Sequence, residues 1–379
     1  MPDSDLTFQN LEELKPRAEK ILSRQAFGYY ASGSESESTL RDNEASFKRY
    51  RLVPRLMVDV SKVDTTVTLL GRKIACPVLV APMAMQRLAH SDGELATSRA
   101  AAAEGIPMVQ STMGTVELAE VRRAGKAGPM MMFQLYVFKE RGFVKQLVQH
   151  AEKSGYNAIV VTVDAPFLGK READEREGFK LPDHLRLENL TGLAEAARME
   201  RKVHSKNKGS GIALHFADHI DPSLTWDFIP WLHSITRLPI FLKGVLCPED
   251  AHMGVEAGAD GIIVSNHGGR QLDYAPASLD ALPGIAAAVG KRVPVLVDGG
   301  VRRGTDIIKA LAMGADVVLI GRPILWGLTL GGESGVRKVL ETIKKELRLS
   351  MALMGCPSIE HLGRGMVIAP WDQYPNARL

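Results

Sequence analysis

The 379-residue chain is poor in cysteine, with Cys76, Cys247 and Cys356 far apart in sequence. That excludes a disulfide framework and a zinc-type spacing, and it fits a reducing compartment. No apolar run reaches about 18 residues, so no segment reads as a membrane span. A one-signed charge is missing too. Lys and Arg number 47 against 44 Asp and Glu, leaving +3. That excess is too small and too evenly spread to attract nucleic acid. No G-x-G-x-x-G leads from a strand into a helix, and G-x-x-x-x-G-K-[ST] and H-E-x-x-H are absent. His215, His219, His252 and His267 form no ligand set, so no metal is expected. The acidic, polar start MPDSDLTFQN does not read as a signal peptide. The end, Ala377-Arg378-Leu379, reads as a variant of the Ser-Lys-Leu peroxisomal address, with a cytoplasmic location expected otherwise.

The apolar fraction, 45%, is that of a folded globular chain and excludes disorder. It is concentrated in short β-branched runs: Pro77–Pro82, Pro107–Ser111, Met131–Tyr136, Ala158–Asp164, Pro239–Gly244, Gly261–Asn266, Pro294–Gly300 and Asp316–Arg322. Continuous runs of this kind suit strands buried on both faces. Helical patterns lie between them, as at Gly93–Glu104, Arg141–Lys153, Pro248–Ala257 and Thr305–Met313. Gly155, Gly258 and Gly314 stand where helix C-caps are expected. All but one of the strand-to-strand intervals match the size of one βα unit. Eight such units predict a (β/α)8 TIM barrel, here as a single domain over 1–379. The exception follows Asp164, where an insertion at 165–235 reads as a partly mobile lid over the barrel mouth. Residues 1–70 form an N-terminal extension with a helical start at Asn10–Ser23.

Active sites of barrels lie at the C-terminal ends of the strands. Polar side chains collect there: Ser111, Gln134 and Tyr136, Thr162 and Asp164, Lys243, Ser265 and His267, Asp298 and Arg302, and Arg322. The turns DGGVRRG and IGR follow strands seven and eight. Glycine lets backbone N–H groups approach an anion there, which makes a phosphate site. In SNHGGRQLD, His267 and Arg270 stand three residues apart. A base beside a guanidinium fork suits a 2-hydroxy carboxylate.

These motifs make the sequence resemble the FMN-dependent L-2-hydroxy-acid oxidases and dehydrogenases, the family of glycolate, lactate and long-chain hydroxy-acid oxidases. The resemblance runs from YYASG (Tyr29–Gly33) to SMALMGC (Ser350–Cys356). SNHGGRQLD and DGGVRRGTD are its most specific parts, and FQLY, TVDAP and LGKREAD agree in order. It implies FMN as cofactor, a small 2-hydroxy acid and O2 as substrates, and a homotetramer. It implies His267 as the base, with Asp164 stabilising its protonated form. Arg270 and Tyr29, helped by Arg171, would bind the carboxylate, and Tyr136 the hydroxyl. Lys243 would place its charge beside the flavin, with Gln134, Thr162 and Ser111 on the ring and Ser265 nearby. Pro82, Met83 and Ala84 would line the ring. Gly300, Arg302, Gly321 and Arg322 would hold the phosphate, and Asp298 the ribityl chain.

Departures from the glycolate-oxidising pattern fall on Met83, Met113 and Phe216, where those relatives carry Thr, Trp and a small aliphatic residue. Methionine is flexible and makes room for a methyl group, so L-lactate is the expected substrate and glycolate the alternative. Phe167 replaces an Arg or Tyr of several relatives. An oxidase is expected over a quinone- or cytochrome-linked dehydrogenase, since no haem domain precedes Met1 and the insertion carries no membrane-binding apolar stretch. Two other classes fit the barrel less well: a Schiff-base aldolase using Lys243, and a binding protein that has lost catalysis.

Overall fold

The computed structural model describes residues 6–190 and 219–372. Phe216, His215 and Ala377–Leu379 lie outside the described residues, so the expectations placed on them do too. The expected (β/α)8 barrel is present. Its strands are β1 (Val78–Val80), β2 (Met108–Gln110), β3 (Met131–Leu135), β4 (Ala158–Thr162), β5 (Ile240–Val245), β6 (Gly261–Val264), β7 (Val295–Asp298) and β8 (Val317–Ile320). All pairings are parallel, and β8 closes the cylinder on β1 with Ile320 opposite Val80.

Side chains alternate between axis and helix layer because a strand has a period of two. Leu79, Val109, Met132, Val160, Phe241, Ile263, Leu296 and Leu319 share one buried cluster, one from each strand. Their neighbours, such as Val78, Val161 and Val264, pack outward into the helical layer. Two-sided burial explains why the strands read as continuous apolar runs. The hairpin Val67–Leu69/Arg72–Ile74 adds Leu69 and Ile74 to the axial cluster, beside Met130 and Val317 at the strand starts. It plugs the N-terminal end of the barrel, which leaves the other end for the site.

Arg141–Lys153 forms a helix with the predicted bounds, and the other three predicted helices differ by a residue at one or both ends. Gly155, Gly258 and Gly314 all have positive φ, as expected of their caps. The N-terminal extension is richer than its sequence pattern. Asn10 caps a short turn at Leu11–Glu13, which runs into the helix Leu14–Glu19. Ser23 then caps a second helix, Arg24–Ala31, and a third spans Ser38–Arg49. The insertion after β4 also divides. Its final part, the helix Phe228–His233, buries Ile229 and Leu232 and serves as the barrel's own helix before β5. Among the described residues before it, Leu168, Arg171 and Leu187 line the mouth. Among the described residues no helix is long and apolar enough to cross a membrane.

Candidate active site

Extending the axial rows one step beyond the apolar cluster gives the floor of a cavity. Met132 leads to Gln134, Val160 to Thr162, Phe241 to Lys243, Leu296 to Asp298 and Val109 to Ser111. The period of two carries each polar side chain to the same open end. The cavity has an empty volume of about 1220 Å³ and is open on one side. Its walls include Tyr29, Pro82, Met83, Ala84, Met113, Tyr136, Arg171, His267 and Arg270, together with Gly300, Arg302, Gly321 and Arg322.

The floor is a continuous polar row. Gln134 Nε2 donates to Thr162 Oγ1 at 3.0 Å, and Gln134 Oε1 accepts from Ser111 Oγ at 3.3 Å and Thr112 N at 3.2 Å. Lys243, 3% exposed, donates to Ser265 Oγ at 2.8 Å and pairs with Asp298 Oδ2 at 3.0 Å. Ser265 lies fully buried behind the wall, where its Oγ also accepts from His267 N at 3.0 Å. The other Asp298 oxygen, Oδ1, is buried without a partner. An unpaired buried acceptor is costly, and it fits a hydroxyl donor of a bound group.

His267 stands just past β6 with φ +59, in the left-handed region a non-glycine residue seldom occupies. Its Nδ1 lies 3.0 Å from Asp164 Oδ1, and its Nε2 lies 3.4 Å from Tyr136 Oη. Burial holds the imidazole below its ordinary pKa, against the opposing pull of Asp164. Burial pushes Asp164 the other way, but His267 and Lys243 outweigh it and keep the carboxyl below the usual range. Burial favours the neutral ring, and a neutral imidazole facing the cavity can accept a proton. Burial raises the Tyr136 phenol well above its ordinary value, so it stays a donor.

Room for Asp164 comes from β5. The strand bulges between Lys243 and Val245, with Gly244 at φ +112. A Cβ there would lie 2.5 Å from Asp164 Cβ and Cγ. Nothing in the local sequence signals this contact, because Asp164 follows β4 and Gly244 lies in β5.

One loop, Ser265–Asp273, ties every part of the site together. Asn266 exchanges amide hydrogen bonds with Asn43 of the helix Ser38–Arg49, both at 2.8 Å. Asp273 accepts from Thr39 N and Ser38 N, capping that helix from outside its own segment. Gly269, with φ +73, passes so close to Leu40 that a Cβ would meet its backbone at 2.6 Å. Gln271 holds the start of the insertion, donating to the Asp164 and Phe167 carbonyls and accepting from Gly169 N. The N-terminal extension and the insertion are thus both docked on the residues that carry His267 and Arg270. Sequence reading missed Asn43 and Gly244, and left Gln271 and Asp273 inside the motif without roles.

Four guanidinium groups, those of Arg171, Arg270, Arg302 and Arg322, line the cavity. Arg270 donates to the Tyr29 and Ser32 carbonyls and lies over the Tyr29 ring at 4.8 Å. Tyr29 stacks on Phe179 of the insertion at 4.5 Å. Arg171 is buried, and burial with the charge of Arg270 brings it down to about 10. Arg322 opens the helix Arg322–Leu353 and is brought down to about 9 by burial, Arg270 and Arg302. It donates to the carbonyls of Tyr30, Gly268 and Ser32. Arg302 pairs with Glu44 at 2.7 Å. Crowded, desolvated cations are the expected surroundings of anions, one at the helix start and one beside His267. The residues present fit a flavin phosphate and a substrate carboxylate.

Met83 and Met113 are both buried in the wall. Phe167 is 63% exposed and points away, and Leu168 lines the cavity in its place. Leu187, also from the insertion, completes that side. Neither leucine stood out in the sequence.

The profile of the FMN-dependent dehydrogenase family matches residues 18–369. An L-lactate oxidase of Nostoc sp. is 51% identical, over 93% of this chain and 96% of that protein. A glycolate oxidase of Spinacia oleracea is 47% identical, over 98% of this chain and 99% of that protein. A solved structure of mandelate oxidase with (S)-4-hydroxymandelic acid superposes with a TM-score of 0.89 at 40% identity, covering 94% of this chain and 98% of that one.

Proposed function

The chain belongs to the FMN-dependent dehydrogenase family and oxidises a 2-hydroxy acid; within that family we propose that its substrate is L-lactate, oxidised to pyruvate with O2 as the final acceptor and H2O2 as the second product. Bound FMN supplies the acceptor for two electrons. Gly300, Arg302, Gly321 and Arg322 would hold its phosphate, and the unpaired Oδ1 of Asp298 the ribityl chain. Pro82, Met83 and Ala84 would pack along the ring. Gln134, Thr162 and Ser111 would hydrogen-bond it, and Lys243 would set a positive charge where negative charge develops.

Arg270, Arg171 and Tyr29 bind the substrate carboxylate and so fix which face of the α-carbon is presented. Tyr136 donates to the substrate hydroxyl. His267 Nε2 takes a proton, from the α-carbon or from the hydroxyl, and the resulting imidazolium is held by Asp164 at 3.0 Å. The insertion, through Leu168 and Leu187, keeps water from that side.

The observation that carries lactate over glycolate is the pair of thioethers, Met83 and Met113, in the wall. A flexible wall accommodates the extra methyl, which is worth about 1–3 kcal/mol in such a pocket. Glycolate is the second reading, supported by the similarity to the Spinacia oleracea enzyme. Steady-state kcat/KM for the two acids decides between them. L-lactate is expected to be preferred, and a preference of about tenfold for glycolate overturns the assignment. Stoichiometric peroxide under air is the expected mark of an oxidase, and its absence would assign another acceptor. Self-association into a homotetramer is supported by the resemblance and by the exposed apolar side chains Leu56, Met57 and Leu353.

A further inference from the structure

The methionine wall is made by two separate loops. Met83 lies just after β1, and Met113 lies just after β2. Neither loop contains a regular strand or a helix longer than the short turn Gln86–Leu88. Their relative position is fixed elsewhere, by a carboxylate that does not line the cavity. Glu94 sits in the first turn of the helix Gly93–Ala103 and is 0% exposed. Its Oε1 accepts from Gln86 N at 3.0 Å, in the first loop, and from Thr115 N at 2.9 Å, in the second. Its Oε2 accepts from Thr115 Oγ1 at 2.8 Å. One side chain thereby holds both loops.

The surrounding contacts make this junction rigid. Arg87 N donates to Thr115 Oγ1 at 3.1 Å, and Arg87 Nη1 donates to Thr115 O at 3.2 Å. Met85 N donates to Met113 O at 2.9 Å, which links the loops at the wall itself. Between Met83 and Gln86 the chain passes through Met85 at φ +54. A non-glycine residue keeps a left-handed backbone only where its surroundings over-determine it. Here the Gln86 N bond to Glu94, the Met85 N bond to Met113 and a 2.7 Å bond from Tyr30 Oη to Met85 O supply that constraint. Burying a carboxylate is costly, and burial raises the Glu94 pKa against the pull of its three donors. Apolar packing could fill the same space, but it could not accept from two backbones at once.

We propose that Glu94 is a positioning residue that sets the substrate preference by holding the Met83 and Met113 loops in register. The inference rests on the reading that the methionine wall selects the substrate. It assigns Glu94 no contact with substrate or flavin. Its effect runs through the wall, so it falls unequally on acids with and without a side-chain methyl. A residue needed only for folding would scale both acids alike.

The test uses FMN-loaded enzyme and three variants: Glu94→Leu, Glu94→Gln and Thr115→Val. The readouts are the lactate-to-glycolate ratio of kcat/KM and the amide hydrogen exchange of segments containing Gln86 and Thr115. Glu94→Leu is expected to shift the ratio by about fivefold or more and to speed exchange at both segments. Thr115→Val removes the Oγ link to both Glu94 and Arg87, so a shift in the same direction is expected. It carries the test alone if Glu94→Leu does not fold. Glu94→Gln keeps an oxygen for the two backbone donors and is expected to restore the ratio to within about twofold of the parent. Equal losses for both acids in Glu94→Leu and Thr115→Val overturn the proposal, as does a Glu94→Gln ratio displaced as far as that of Glu94→Leu. Substitution of Met113 separates the two levels. If it leaves the ratio unchanged, the reading of the wall fails. If it moves the ratio and the Glu94 and Thr115 variants do not, only the present inference fails.

Discussion

The loop after β6 and the paired loops after β1 and β2 face the same cavity and are built on opposite principles. The first, Ser265–Asp273, presents charged and polar groups whose directions are fixed by hydrogen bonds to the helix Ser38–Arg49, the Tyr29 and Ser32 carbonyls, Lys243 and the segment after β4. The second presents two buried methionines, whose unbranched side chains adapt to what they pack against, on a backbone held from behind by Glu94. Proton transfer needs an acceptor within hydrogen-bond reach and correctly aimed, and the side chains on that side are each directed by hydrogen bonds. Discrimination between small side chains needs volume and tolerates soft atoms, so only the backbone of that side is rigid. On the proposed roles chemistry and selectivity are separable, and substitutions on the two sides should differ in kind as well as in size.

The largest effect is expected on the rigid side. His267→Ala removes the proposed base and leaves the proposed phosphate cradle and the polar floor intact, so the protein should still bind FMN and stay yellow. Flavin reduction by L-lactate, followed by anaerobic stopped-flow absorbance, should slow by about 10²–10⁴-fold. Both acids should lose alike. Reduction at the parent rate would remove His267 from its role, and unequal losses would mean that the two sides are not separable.

A smaller but sharper break is Gly244→Ala. The new Cβ would press on Asp164 at 2.5 Å, from a residue at φ +112. Strain at such a position costs about 1–3 kcal/mol, so the melting temperature should fall. Displacing Asp164 also releases the His267 ring, and a misplacement of about 1 Å can cost on the order of 100-fold in rate. Loss of kcat with an unchanged preference between the two acids is the expected pattern. A variant with parent activity would show that the bulge merely accommodates the strand.

Much of this contrast was legible in the chain before folding, and the reason is geometric. Strands of period two in a closed barrel send every second residue to the axis. Gln134, Thr162, Lys243 and Asp298 could be placed at the open end because they stand late in continuous apolar runs, and the structure puts Met132, Val160, Phe241 and Leu296 on the axis two residues before them. Gly300 does mark a close backbone approach, but to the Asn43 carbonyl, which a Cβ there would strike. The supports stayed hidden because each depends on partners distant in sequence. Asn43 meets Asn266 across 223 residues, and Asn189 of the insertion donates to the Ser111 and Thr112 carbonyls. Glu94 looks in sequence like any acidic residue in the first turn of a helix, where surface carboxylates are common. Gly244 looks like the end of a strand. Leu168 was overlooked for its neighbour Phe167 because sequence shows which residue is bulky but not which one faces inward.

The smallest expected effect tests the soft side directly. Met113→Trp replaces a thioether by a flat ring that cannot yield, on a backbone that Thr115 and Met85 hold in place. The volume available beside the α-carbon should shrink by more than a methyl group. L-lactate should then lose kcat/KM relative to glycolate by about tenfold, within the 1–3 kcal/mol that one methyl commands. Because His267, Asp164 and Arg270 are untouched, kcat at saturating glycolate should stay near the parent value, and the loss for lactate should appear chiefly in KM. A loss shared equally by the two acids would mean that the ring has disturbed the rigid side as well. The division between a directional half and a yielding half would then be a description of side-chain types and not of how the site works.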